Sequence, residues 1–127
     1  DLDASAVRDS AAAEAGTFSG TLDGNGYRIL NLKTSLFETL NGAEIRDLVI
    51  EKAAVTAGRR GILADYIRGN SVIEQVFLVD SSIANGVDGM GAFAGELTDS
   101  VIRKSASLNG SVKGLVAAWW EKPGREP

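Results

Sequence analysis

The chain has 127 residues, enough for one domain or for a piece of a larger protein. Lys and Arg number 13 against 17 Asp and Glu, a net charge of −4 with no basic run, which argues against nucleic acid or an anionic membrane as partner. Histidine and cysteine are both absent, which excludes disulfides, thiolate chemistry, a Ser-His-Asp triad and a zinc site of the usual His/Cys kind.

No apolar run is long enough to span a bilayer. Asp1-Leu2-Asp3 is neither the charged n-region nor the apolar stretch of a signal peptide. It reads instead as the end of a strand that began earlier, as in a chain cut from a longer one. Asp3 to Ala15 is Ala-rich, with Asp3 or Ser5 as a cap and Gly16 as a stop, and predicts a short helix. A strand follows over Thr17–Leu22. Asp23-Gly24-Asn25-Gly26 then reads as a tight turn, because both dipeptides tolerate positive φ.

Three later segments superpose: Ala43–Ile50, Ser71–Leu78 and Ser100–Ser107. Their isoleucines Ile45, Ile73 and Ile102 lie 28 and 29 residues apart. Ten residues after each stands another β-branched residue, Val55, Ile83 and Val112. Beyond that come glycine-led apolar runs, Gly61-Ile62-Leu63-Ala64, Gly91-Ala92-Phe93-Ala94-Gly95 and Gly114-Leu115-Val116-Ala117. Tyr27–Leu32 and Leu36-Phe37 form an earlier, irregular turn, with Ile29 set as the counterpart of Ile45. A period near 28, short strands and no helical half predict an all-β fold: a right-handed parallel β-helix of about four coils.

The inward positions of each repeat are its isoleucine, then the third and fifth residues beyond: Ile45, Leu48, Ile50 and Ile73, Val76, Leu78. Strict alternation would not give that spacing, so a corner is expected after the isoleucine. The third repeat puts Ser105 and Ser107 at those positions and is the weaker coil. On the outer face Arg46, Glu74 and Arg103 align, with Glu74 between two arginines. The expected domain runs over residues 1–118, with an irregular tail over 119–127.

Several motifs carry no chemistry. Gly89-Met90-Gly91-Ala92-Phe93-Ala94 matches a dinucleotide fingerprint in letters, but it opens no helix and no acidic residue follows about 20 residues on. Asp23-Gly24-Asn25-Gly26 lacks the later acidic ligands of a calcium loop, having Thr34 where the closing Glu belongs. Asn109-Gly110-Ser111 is formally a glycosylation sequon and reads as a turn. Asp80, Asp88, Glu96 and Asp99 occupy different repeat positions, unlike the paired carboxyls of a polysaccharide hydrolase. Arg59 and Arg60 at a loop tip, Tyr66, and the pair Trp119-Trp120 remain as candidate partner-binding residues, since Arg and the aromatics dominate interface hot spots.

Phe18-Ser19-Gly20-Thr21-Leu22-Asp23-Gly24-Asn25-Gly26-Tyr27-Arg28-Ile29-Leu30-Asn31-Leu32, with its continuation Leu36-Phe37-Glu38-Thr39-Leu40-Asn41-Gly42-Ala43-Glu44-Ile45-Arg46-Asp47-Leu48, resembles a known family. It is similar to the N-terminal, non-catalytic region of the streptococcal zinc metalloproteases that cleave immunoglobulin A, and of their surface-anchored relatives. The glycine-led runs resemble the Gly-Leu-Val-Gly type repeat found there and in unrelated adhesins. The resemblance covers roughly Asp1 to Val116. It implies an extracellular or cell-wall-attached bacterial parent whose zinc lies in a separate domain, with no cofactor in this fragment. The sequence contains no H-E-x-x-H, so none of the family's catalytic residues has a counterpart.

The expected function is therefore a non-catalytic module that assists substrate recognition or positions the protease domain. Its partners would be the immunoglobulin A heavy chain or neighbouring domains of the parent, without nucleic acid or membrane contact. The alternative is a structural or adhesive β-solenoid module of another bacterial surface protein.

Overall fold

A computed structural model describes residues 2–3, 16–56, 60–84 and 90–113. Over these residues the chain is all-β, and every strand pair is parallel. No helix occurs among the described residues. The helix expected over Asp3–Ala15 lies outside them, except for Asp3, which belongs to a strand. The tail from 119 and the third glycine-led run also lie outside.

The strands sort into three sheets. Sheet A holds β1 (Leu2–Asp3), β3 (Thr21–Asp23), β4 (Arg28–Leu30), β6 (Glu44–Glu51), β9 (Val72–Val79), β12 (Val101–Arg103) and β13 (Ala106–Leu108). Sheet B holds β2 (Thr17–Phe18), β5 (Phe37–Asn41), β8 (Ala64–Arg68) and β11 (Glu96–Leu97). Sheet C holds β7 (Ala54–Val55), β10 (Ser82–Ala84) and β14 (Ser111–Lys113). From β6 onward the chain visits A, C, B and A again in fixed order.

Register follows the sequence repeat. Ile45 pairs with Ile73 and Ile73 with Ile102; Val55 pairs with Ile83 and Ile83 with Val112. Burial follows the expected inward set: Ile45, Ile50, Ile73, Val76 and Leu78 are fully buried and Leu48 nearly so. These columns, with Leu40, Ile62, Leu63, Ile67 and Ile83, make one core between the sheets. The expected corner is present as a left-handed residue two positions after each isoleucine: Asp47, Gln75 and Lys104 have φ of 54°, 57° and 53°. Non-glycine residues pay roughly 1–2 kcal/mol for that conformation, so its recurrence reflects constraint by the aligned strands. A second such column, Asn31, Lys52, Asp80 and Asn109, follows the same strands.

One expectation is corrected. Ile29 stands beside Ile50, and it is Leu22 that stands beside Ile45. The first circuit spends extra residues on its corner, the turn Asp23–Gly26, which shifts Ile29 by half a strand. There the Asp23 carboxylate accepts the Asn25 N–H at 2.9 Å, and Asn25 and Gly26 take φ of 53° and 79°. A Cβ on Gly24 would strike the Asp47 carbonyl, so only glycine fits against that corner. As expected, Glu74 stands in register between Arg46 and Arg103. It pairs with Arg103 at 3.2 Å and Lys104 at 4.0 Å, while Arg46 turns to Glu44 at 2.6 Å and Asp23 at 3.5 Å. Arg46 prefers them because Asp23 is its register partner in the preceding strand. The Glu44 hydrogen bond and charge, with the Asp23 charge, hold the Arg46 guanidinium above its ordinary pKa.

Serines finish the inner corners. Ser71 Oγ accepts the Ala43 N–H, Ser100 Oγ the Ser71 N–H, Ser81 Oγ the Ala53 N–H and Ser105 Oγ the Val76 N–H, each at 3.0 Å. Each hydroxyl reaches the backbone of the preceding circuit, where a sheet hydrogen bond is interrupted by the bend. Ser105 thus has a defined task at its inward position, whereas Ser107 is exposed.

Candidate functional site

Two of the five candidate partner-binding residues, Arg60 and Tyr66, lie in the described structure. Arg59, Trp119 and Trp120 lie outside the described residues. Sheet B and the segment entering it position the two that are described. The segment Gly61–Ala64 turns tightly: a Cβ on Gly61 would overlap the Ala64 carbonyl and the Ala94 backbone, and one on Gly91 the Ala94 carbonyl. This close approach is why glycine leads the two described runs.

Asp65, nearly buried at 7% exposure, fixes this turn. Its Oδ1 accepts the Arg60 N–H at 2.7 Å and lies 3.0 Å from Ser35 Oγ, which also donates to the Gly61 carbonyl at 2.6 Å. The Arg60 carbonyl in turn accepts the Gly91 N–H at 2.9 Å. The Arg60 backbone is thereby held at the entrance to β8. Sequence reading missed Asp65 and Ser35, although a lone carboxylate inside the apolar run Gly61–Ile67 was a usable signal.

Tyr66 sits in register with Thr39 on one side and Glu96 on the other. The Arg68 guanidinium lies over its ring, 5.1 Å from the centroid, and reaches Glu96 at 3.6 Å. Residues two apart on a strand share a face, so Tyr66 and Arg68 form one patch with Glu96. Arg68 was a third residue that sequence reading missed, and the Tyr-x-Arg spacing carried it. Arg68 and Glu96 remain largely exposed, which makes the pair worth at most about 1 kcal/mol to folding. It serves to orient the ring rather than to hold the fold.

The carboxylates considered for hydrolysis do not gather. Asp80, just after the inner strand β9 of sheet A, receives the Asn109 side-chain amide at 2.6 Å, Glu96 lies in sheet B, and Asp99 precedes β12. Asp88 lies outside the described residues. The chain has no histidine or cysteine, and among the described residues no cluster of three or more acidic groups could hold a metal ion. This donor set does not fit a catalytic zinc. The glycine fingerprint leads into strand β11 rather than a helix, and Asn109 at φ 57° makes Asn109-Gly110 a turn.

Fold and patch together define an all-β module of parallel strands repeated at 27–30 residues, with a polar-aromatic patch on sheet B. Comparison with known proteins places it more narrowly. Residues 1–79 match the family described as the M26 IgA1-specific Metallo-endopeptidase N-terminal region. The chain belongs to that family. It is 37% identical over 95 residues to an Immunoglobulin A1 protease of Streptococcus pneumoniae serotype 4, covering 71% of this chain and 5% of that protein. A second Immunoglobulin A1 protease of Streptococcus pneumoniae is 35% identical over 111 residues, covering 84% of this chain and 5% of that protein. The chain thus spans about one-twentieth of the length of these relatives. No solved structure matches it.

Proposed function

We propose that the chain is a non-catalytic module of a bacterial extracellular, immunoglobulin A-cleaving zinc metalloprotease, and that it assists substrate recognition or positions the protease domain. The observation carrying this reading is the match of residues 1–79 to the N-terminal region of that protease family. The absence of any histidine supports a division of labour in which zinc and catalysis belong to another domain. The parent is then a zinc metalloendopeptidase, secreted or attached to the cell wall.

In this reading residues 1–118 form one right-handed parallel β-helix of about four coils, followed by an irregular tail. The fixed A–C–B visiting order and the parallel register at each repeat support a helical winding, and right-handed crossovers are the general rule. Arg59, Arg60, Tyr66, Trp119 and Trp120 are the residues offered for contact with the immunoglobulin A heavy chain or with neighbouring domains. The patch of Tyr66, Arg68 and Glu96 supports sheet B as the face concerned.

Calorimetric titration of the chain with immunoglobulin A heavy chain containing the hinge tests this. Saturable binding that weakens when Arg59 and Arg60 are changed to Ala, or when Tyr66 is changed to Ala, supports recognition. No heat at high concentration assigns the module to spacing, and the structural reading then stands in its place.

A further inference from the structure

The outer surface of sheet A changes character at the left-handed corners Asp47, Gln75 and Lys104. Before the corner its outward side chains are mostly charged: Asp23, Glu44, Arg46, Glu74 and Arg103. After the corner Leu48, Ile50, Val76 and Leu78 are buried, so the residues alternating with them point outward. Register puts Leu30, Val49, Phe77, Val79, Ala106 and Leu108 on that outer side, across strands β4, β6, β9 and β13. The two charged residues among them, Arg28 and Glu51, neutralise each other at 2.8 Å.

These apolar side chains lie on the opposite side of the strands from the core. Leu108 is 50% exposed and the others are half-buried by their neighbours on the sheet. Phe77, the largest, stands on the inner strand β9, in the middle of the stripe. Polar corner residues border the stripe on both sides, Asp47, Gln75 and Lys104 before it and Lys52 and Asp80 after it. An apolar centre with an aromatic residue and a charged rim is the anatomy of a protein interface.

The rim indicates which partner fits. The corner column after the stripe runs Asn31, Lys52, Asp80, Asn109 through successive circuits: neutral, positive, negative, neutral. That order is complementary to its own reverse. A twofold axis parallel to the strands, placed between β6 and β9, keeps every column opposite itself and reverses the circuits. Lys52 then meets the second copy's Asp80, and Asp80 the second copy's Lys52. In the same arrangement Phe77 meets Val49, and Leu30 meets Leu108.

We propose that this stripe is a self-association face, on which a second copy of the chain packs sheet against sheet about that twofold axis. The face is four strands deep and one short strand wide, at or below the small end of stable interfaces, so the dimer is weak and depends on concentration. It leaves the Tyr66–Arg68–Glu96 patch of sheet B uncovered, and it does not depend on what that patch binds.

Sedimentation equilibrium of the full chain from about 10 μM to about 1 mM tests this, with a rise in mass from monomer to dimer expected. Lys52→Asp and Asp80→Lys each oppose like charges across the axis and should each weaken dimerisation about tenfold. The double variant Lys52→Asp/Asp80→Lys restores opposite signs and should recover it. Both residue types already occupy left-handed positions of this column, so the exchange suits the backbone. Phe77→Ser should abolish the dimer while leaving the monomer's melt within about 5 °C of the parent, because the ring lies outside the core. A chain that stays monomeric at the highest concentration overturns the proposal, as does a dimer indifferent to Phe77→Ser or to both charge changes. Failure of the double variant to recover association overturns the twofold arrangement. A large fall in the monomer's melt with Phe77→Ser overturns it too, because the face is then already packed within its own chain.

Discussion

Ile73 is the most exacting probe of the core. It is fully buried, and its register partners are Ile45, also fully buried, and Ile102 at the edge of sheet A. Ile73→Ala removes apolar contact and leaves a cavity that the aligned strands cannot close, a loss of about 2–5 kcal/mol. Against a total of about 5–15 kcal/mol for a domain this size, that is a large share. At roughly 3–5 °C per kcal/mol the melt should fall by about 6–25 °C. Ile73→Asp adds the desolvation of a carboxylate among aliphatic neighbours, several kcal/mol more, and should leave no cooperative transition at room temperature. Ile102→Asp should cost less, because that position is only half-buried. Circular dichroism melts of the three variants check the order. A melt of Ile73→Asp within about 2 °C of the parent chain would refute the stacking of these columns.

Other perturbations test the corners and turns. Gln75→Val should destabilise by about 1–3 kcal/mol because a β-branched residue resists φ near +57°, whereas Gln75→Gly should be neutral within about 1 kcal/mol; urea titrations distinguish them. Gly61→Ala should cost about 1–3 kcal/mol in the same assay, since its Cβ meets backbone that has no room to move. Ser71→Ala should cost about 1–3 kcal/mol by leaving the Ala43 N–H unsatisfied, with faster hydrogen exchange at that amide as the local readout. Asp65→Ala should release the Arg60 N–H in the same way and shift the Arg60, Gly61 and Gly91 amide resonances together.

Most of this architecture was legible because it is written in columns. Isoleucines spaced by 28 and 29 residues can pair in register only if the chain returns to the same sheet, and the paired residues are those. The corner was legible too, since an inward set at the first, fourth and sixth residues requires one backbone reversal between strands. The first circuit was not, because the turn Asp23–Gly26 inserts residues where later circuits use a single left-handed one. Leu22 and Ile29 then compete for the same partner by letter alone. Polar contacts were the least legible. Glu74, facing Arg46 and Arg103, takes the latter because Asp23 and Glu44 satisfy Arg46, which could be foreseen only with the first circuit correctly placed. The corner serines stood in the repeats by name, but their role depends on backbone N–H groups that the bend frees.

The same columns separate what holds the module together from what can vary. Inward positions are aliphatic in the repeats that start at Ile45 and Ile73, and the corners fix the backbone, so outward residues carry little of the stability. On sheet A the outward ladder Asp23, Arg46, Glu74, Arg103 alternates in sign, and each exposed pair contributes at most about 1 kcal/mol. That alternation opposes slippage: a one-strand shift would place like charges side by side. On sheet B the outward column runs Thr17, Thr39, Tyr66, Glu96, without such a pattern, and it includes the aromatic ring under Arg68. A face that register does not need is free to be shaped by a partner. Changes confined to Tyr66 and Arg68 should therefore leave the melt nearly unchanged, while charge reversal at Arg46 together with Arg103 should broaden it.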